Sequence, residues 1–268
     1  VNPNNKLFLD TTVQIDRFSG DPEKKVRIDR VISQSNRVLT STYVKMEFRR
    51  RFIQDIVYLY NVITDADNLK DVFLRINKLP PELRRKKEGC LASFCRFFSG
   101  TEEEEIKGPF GKGLLEKAEI YFRLEIEDSW EEFDKEIDEI INETDCYHAK
   151  TGPVLTDGKY YNKMNQCKKT DLKCRIIDFF IKNKVLIDKI YEKLSQMENL
   201  DDEQQKAKKA IENFLKDNHN IADKKNCWNC GDIIIALEAP IDAVLSTTNV
   251  KHFEPICSVI GKEYSRPS

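Results

Sequence analysis

Apolar and polar positions fall in blocks along this chain, short and solidly apolar in some places and helically spaced in others. Lys6–Asp10 contains LFL, an apolar run too short for a helix, and reads as a buried strand ending on an aspartate. A turn around Ser19–Pro22 leads into EKKVRIDRVISQ, where Val26, Ile28, Val31 and Ile32 make an approximate helical stripe. RVLTS (37–41) reads as a second strand. Thr42 is placed to cap the helix that follows, in which Val44, Phe48, Phe52, Ile56 and Tyr60 recur at near-helical spacing. The far end supplies matching pieces: DIIIALE (232–238) as a helix entry, Ala243–Ser246 as a strand, and PICSVIG (255–261) as a last strand or turn. Strands alternating with helices favour an α/β fold with a largely parallel sheet and helices on both faces.

Between these ends the pattern is polar and mostly helical. Segments 65–79 and 82–98 are separated by Pro80–Pro81, which stops one helix and can start the next. A charged, glycine-bearing loop is expected at 99–113, with Glu102–Glu105 as a solvated patch. The run LLEKAEIYFRLEIEDSWEEFDKEIDEIINE predicts one long amphipathic helix through Phe122, Trp130, Phe133, Ile137 and Ile140–Ile141. Gly152–Pro153 and Asp157–Gly158 mark 145–168 as irregular or a short hairpin. Two more helices are expected near 170–197 and 202–217. The organisation predicted is a discontinuous frame, 1–62 with 225–268, around a mostly α-helical insertion at 63–224.

A chain of 268 residues can bury a full core as one large domain or two small ones. Charged residues make up 34%, the mean hydropathy is -0.56, and the net charge is -2. That balance does not advertise a nucleic-acid binder, but net charge hides clustering. No stretch approaches the roughly 18 apolar residues needed to span a bilayer. The start, VNPNNKLFLD, lacks a basic segment followed by an apolar one, so no signal peptide is expected. Eight cysteines without a secretory signal make a disulfide framework an unfavourable reading, and a cytoplasmic location is the default.

Four segments scattered along the chain carry the candidate chemistry: LFLDTTVQID (7–16), TSTYVKMEF (40–48), CGDIIIALEAP (230–240) and VLSTTNVKHF (244–253). They place Asp10, Glu47 and Asp232 at seams between strand-like and helix-like stretches, where an α/β fold exposes functional groups. Carboxylates distant in sequence but neighbouring at strand ends suit Mg²⁺ or Mn²⁺, which take hard oxygen ligands. In order and local sequence the four segments resemble the PIN-domain nucleases, the family that includes VapC-type toxins. Asp10 matches the aspartate closing the first strand, Glu47 the glutamate of the helix after the second strand, and Asp232 the aspartate opening a later Ile-Ala helix. Thr247, Asn249 and Phe253 match the fourth signature. Many relatives carry a further Asp there; here the corresponding positions hold Asn249 and His252, which implies a weaker or differently protonated second metal position. The resemblance covers the frame only.

It implies a PIN-like three-layer domain and a metal-dependent endoribonuclease acting on single-stranded RNA. Asp10, Glu47 and Asp232 would hold Mg²⁺ or Mn²⁺, with Asn249 or Thr247 placing a metal-bound water or the phosphate, and His252 orienting either. The alternative is a catalytically degenerate PIN-like module that binds RNA or protein, with a zinc-stapled helical insert. Arg49, Arg50 and Arg51 follow the Glu47 segment and are candidates to hold phosphate; LPPELRRKK (79–87) is a second basic cluster. Tyr43 and Phe48 suit base stacking or, more often at such spacing, the core. Cys227 and Cys230 form a CxxC just before Asp232, and with Cys167 and Cys174 make a candidate structural zinc set, in which Cys146 or His148 could replace Cys167. Reduced packing thiols are the competing reading, and a redox role a third. Cys90, Cys95 and Cys257 read as core, and His219 as a loop residue. The insertion is the expected place for a protein partner or inhibitor, homo-oligomers are compatible with the sequence, and no membrane partner is expected.

Overall fold

The computed structural model of the chain describes residues 6–99, 112–164 and 174–268. Its strands, in chain order, are β1 (Lys6–Leu9), β2 (Arg37–Ser41), β3 (Glu139–Ile141), β4 (Val154–Thr156), β5 (Lys159–Tyr161), β6 (Ala243–Ser246) and β7 (Tyr264–Ser265). The α-helices are α1 (Thr11–Ser19), α2 (Pro22–Ser33), α3 (Thr42–Phe48), α4 (Gln54–Thr64), α5 (Leu69–Asn77), α6 (Arg84–Ser99) and α7 (Lys112–Glu131). They continue with α8 (Ile176–Lys182), α9 (Lys184–Gln196), α10 (Asp202–Lys216), α11 (Lys224–Asn229), α12 (Gly231–Glu238) and α13 (Val250–Ile260). The chain divides into two compact units, one of residues 1–47, 134–151 and 165–268, the other of 48–133 and 152–164.

The first unit is α/β, built on a parallel sheet in the order β3-β2-β1-β6-β7. The central strand β1 pairs on one side with β2 (Leu7↔Val38) and on the other with β6 (Leu9↔Ser246). With neighbours on both sides its LFL run is buried throughout, as the unbroken apolar pattern requires. From β1 the chain winds outward through β2 to β3, then returns to add β6 and β7 on the opposite side. The reversal creates a topological switch point between β1 and β6, the place where ligands bind at the carboxyl ends of parallel strands. Ile28 and Ile32 of the expected α2 stripe pack with Leu7, Leu9, Val13 and Val38, while Val26 stays exposed.

Three local expectations are corrected. The long helix through Ile141 ends at Glu131. Glu136 adopts a left-handed φ of 63°, and Glu139–Ile141 instead becomes edge strand β3. Its β-branched residues complete a ladder that would otherwise leave one side of β2 unpaired, with Asp138 N–H donating to the Val38 carbonyl at 2.8 Å. PICSVIG is not a strand but the second half of α13, ended by Gly261 at φ 69°. Pro255 sits inside that helix, and the Lys251 carbonyl it cannot serve accepts the Gln204 amide at 3.3 Å. At the start of α3 the capping hydroxyl is Ser41, which accepts from Val44 N–H at 3.2 Å, whereas Thr42 donates to Asn142.

The unit boundaries also differ from the expected frame and insertion. Helices α8 to α10, expected in the insertion, belong to the sheet-bearing unit, where α9 packs on α10 and α13. Helix α4, expected in the frame, belongs to the other unit. The reason is its apolar face, which packs on α6, α7 and β5. That second unit has an aromatic core in which Phe94 stacks edge-on to Phe122 at 5.6 Å and Tyr60 to Tyr160 at 5.0 Å. The hairpin β4–β5 turns on Asp157–Gly158, both at positive φ (51° and 75°), the conformation that Asp-Gly favours. Of the charged loop expected at 99–113, the run Glu102–Glu105 lies outside the described residues, as does Cys167. Among the described residues no helix is long and apolar enough to cross a membrane.

Asn61 on α4 stands in for a strand partner of β5, accepting from Tyr160 N–H at 2.9 Å and donating to its carbonyl at 2.8 Å. Asn61→Ala leaves both backbone groups without that partner and is expected to cost about 1–3 kcal/mol in urea denaturation. A loss below about 0.5 kcal/mol, the surface-substitution level, would contradict this role.

Candidate active site at the carboxyl ends of the central strands

Asp10 is the residue at which β1 becomes α1. Its N–H continues the sheet ladder to the Ser246 carbonyl at 3.1 Å, and its side chain caps α1 by accepting from Val13 N–H at 2.9 Å. Thr12 donates to both carboxylate oxygens, at 2.9 and 3.1 Å, and Thr247, one residue past β6, donates to Oδ2 at 2.7 Å. The carboxyl group is 1% exposed. Burial pushes its pKa up to about 7 against the lowering effect of the hydrogen bonds from Val13, Thr247 and Thr12, with the charge of Asp232 adding to the rise. Asp10 therefore sits near its ionisation point at neutral pH.

Glu47 reaches the same place from α3, also 1% exposed, with Oε2 accepting from Thr11 Oγ1 at 3.0 Å. Gly231, at the start of α12, lies so close to it that a Cβ there would stand 2.6 Å from Glu47 Oε1. The glycine thus lets the α12 backbone approach the carboxylate, and the next residue is Asp232. Asp232 Oδ2 is 3.0 Å from His252 Nδ1 and 3.3 Å from the Asn249 amide nitrogen. Asn249 N–H in turn donates to Thr247 Oγ1 at 2.9 Å. The three acids, Thr247, Asn249 and His252 are all drawn into one hydrogen-bonded and electrostatic neighbourhood at the switch point.

His252 is held from both sides, since its Nε2 is 3.0 Å from Asp201 Oδ2. The hydrogen bond to Asp232, against the opposing effect of burial, and the further bond to Asp201 push its pKa up to about 9. At neutral pH it is an imidazolium among carboxylates. Burial disfavours the charge on Asp201, but hydrogen bonds from Lys251, the Gln204 backbone and His252 outweigh it and hold that carboxyl well below the usual range. Thr11, Thr12, Gly231 and Asp201 were not singled out from sequence. For Thr11 and Thr12 the available signal was their position directly after a strand-end aspartate. For Asp201 it was the Asp-x-x-Gln spacing of a capping box.

The arginines expected to hold phosphate belong to the other unit. Arg49 is 2% exposed and donates from Nε to Asn162 Oδ1 at 2.5 Å and from Nη2 to the Lys163 carbonyl at 3.3 Å, a buried structural pairing. Arg50 and Arg51 are half-buried and also engaged. In the second basic cluster, Arg84 pairs with Glu88 and Arg85 with Asp55. Tyr43 and Phe48 are core residues, and the Tyr43 hydroxyl donates to the Cys227 carbonyl at 2.8 Å.

Of the candidate zinc cysteines, Cys174, Cys227 and Cys230 lie among the described residues. Cys174 Sγ lies 3.4 Å from the Thr144 carbonyl and Cys227 Sγ 3.7 Å from the Tyr43 hydroxyl. Cys230 is fully buried, and burial pushes its thiol pKa up. Cys146 and His148 are buried, as are Cys90 and Cys257; Cys95, expected in the core, is exposed, because it points off the apolar face of α6. His219 lies exposed in a short 3₁₀ turn. Among the described residues no group of three or more His, Cys, Asp or Glu side chains is arranged to hold a metal ion. Comparison of the chain with protein-family models, with characterised proteins and with solved structures returned no match.

The Thr247 hydroxyl stabilises the ionised form of Asp10. A folded-state pKa above the ordinary value means that stability is full at acid pH and falls as pH rises through about 7. Thr247→Val is expected to deepen that fall, with a deficit against wild type of about 1.5–3 kcal/mol at pH 8 that shrinks at pH 5. Denaturation at the two pH values checks it, and an equal deficit at both would contradict the assignment.

Proposed function

We propose that this protein is a PIN-like, metal-dependent endoribonuclease that hydrolyses phosphodiester bonds in single-stranded RNA. The observation that carries the reading is that three acids from segments far apart in the chain share neighbours: Glu47 stands on Thr11 and Gly231, the residues next to Asp10 and Asp232, and the charge of Asp232 acts on Asp10. The choice of RNA rests on the resemblance of those segments to PIN nucleases.

The donor set fits Mg²⁺ or Mn²⁺ in kind, since all three groups offer hard carboxylate oxygens. Asp232 opposes ionisation of buried Asp10, a repulsion that a divalent cation relieves. When bound, the cation lowers the pKa of a coordinated water and neutralises charge on the phosphoryl group. Asp10, Glu47 and Asp232 would hold it. Thr11, Thr12 and Thr247 orient Asp10 and Glu47 through their hydroxyls, and Asn249 stands between Thr247 and Asp232. His252 places a positive charge beside the acids, which favours approach of the anionic backbone.

One observation favours a second reading, a degenerate module that binds RNA or protein without cutting. Among the described residues the acids are not arranged as a ready metal cage. Cleavage separates the readings. Wild type is expected to cut labelled single-stranded RNA only with Mg²⁺ or Mn²⁺. Outer partners of metal ligands contribute about 10–100-fold, so Asp10→Asn, which removes a ligand, should lose more than about 100-fold. Asn retains the N-cap and carries no buried charge, so the variant should stay folded. A folded wild type that cuts neither RNA nor DNA would move the conclusion to the binding module.

A further inference from the structure

Asp201 lies outside all four acid-bearing segments, on the approach to a helix that the sequence assigns to the insertion. It is the N-cap of α10: Oδ1 accepts from Gln204 N–H at 3.0 Å, while Gln204 Oε1 accepts from Asp201 N–H at 3.2 Å. That capping box uses one carboxylate oxygen. The other, Oδ2, accepts from Lys251 Nζ at 2.8 Å and meets His252 Nε2 at 3.0 Å. Across the ring, Nδ1 meets Asp232 Oδ2 at 3.0 Å. An imidazole bonded at both nitrogens cannot turn without breaking one of them, and the carboxylate facing it inherits the constraint. The two helices are fixed to each other independently, because Gln204 fills the Lys251 carbonyl that Pro255 leaves open.

We propose that Asp201 is a positioning residue of the carboxylate site: acting through His252, it fixes the orientation in which Asp232 takes a divalent cation. The proposal rests on the metal-site reading above. It differs from a capping role because the cap and the relay use different oxygens. Ser is as good an N-cap as Asp, and its single hydroxyl keeps the bond from Gln204 N–H. It is too short to reach His252 as well. Asp201→Ser therefore spares the cap and breaks the relay whichever ring nitrogen carries the proton. Gln204→Ala does the reverse, removing the capping box and leaving Asp201 on His252.

The test is Mn²⁺ binding by the full chain, followed by electron paramagnetic resonance of the free ion, together with thermal melting. Asp201→Ser is expected to weaken Mn²⁺ binding by about tenfold or more with little change in melting temperature. Gln204→Ala should lower the melting temperature and leave Mn²⁺ affinity within about twofold of wild type. Asp201→Gly, also tolerated at an N-cap, should reproduce the Ser result and stands in for it if the Ser variant does not fold. A folded Asp201→Ser or Asp201→Gly protein that binds Mn²⁺ like wild type overturns the proposal and leaves Asp201 a helix cap. A wild type that binds no Mn²⁺ overturns the metal-site reading instead, and the relay falls with it.

Discussion

The buried carboxyl group of Asp10 ties the sheet-bearing unit together where its topology reverses. Its backbone extends the ladder from β1 to β6, its side chain starts α1, and its second oxygen takes the Thr247 hydroxyl from the strand on the other side of the switch point. A carboxylate this deep is costly to ionise, and only hydrogen bonding offsets that cost. Four contacts from three donors, the Thr12 hydroxyl, the Val13 N–H and the Thr247 hydroxyl, keep its pKa near 7, below where burial alone would put it. The local fold is thus arranged around a group whose charge it only partly accommodates.

The surrounding charges follow from the same constraint. Glu47 is buried against Thr11 and the bare backbone of Gly231, and Asp232 stands on the first turn of α12. The positive end of the α12 dipole favours an acid there. Beside Asp232 stands the His252 ring, which is shared with Asp201. Asp10 accepts from the Thr12 and Thr247 hydroxyls and the Val13 backbone, and Glu47 from the Thr11 hydroxyl, so a cation bound there would add a full positive charge to these neutral donors.

Much of this was legible in the residues. LFL, RVLTS and AVLS announce strands because each carries a short apolar run bounded by polar residues, and Asp157–Gly158 announces its hairpin. Asp10, Thr247, Asn249, Asp232 and His252 are linked in one chain of contacts, with Glu47 against Thr11 and Gly231, because strand-end and helix-start positions converge in a parallel sheet whatever lies between them. What failed was long-range. DEII looked helical because it continues the periodicity of α7, and only the open side of β2 makes it a strand. PICSVIG read as a strand or turn, yet it continues α13, where the Gln204 amide from α10 donates to the carbonyl that Pro255 cannot serve. Arg49 looked like a phosphate ligand because it follows Glu47, yet its partner Asn162 lies more than a hundred residues away. At Asp201 only the helix cap was legible, because a cap is read from its neighbours, whereas the contact with His252 is long-range.

The most direct test of the central claim is the ionisation of Asp10 itself, followed by carbon NMR of its carboxyl group in metal-free protein and again with Mg²⁺. The account predicts a midpoint near pH 7 without the ion, lowered by more than about one unit when Mg²⁺ is present. A midpoint near the ordinary 3.8, or one near 7 that Mg²⁺ does not move, would contradict the claim that this buried acid is part of a cation site.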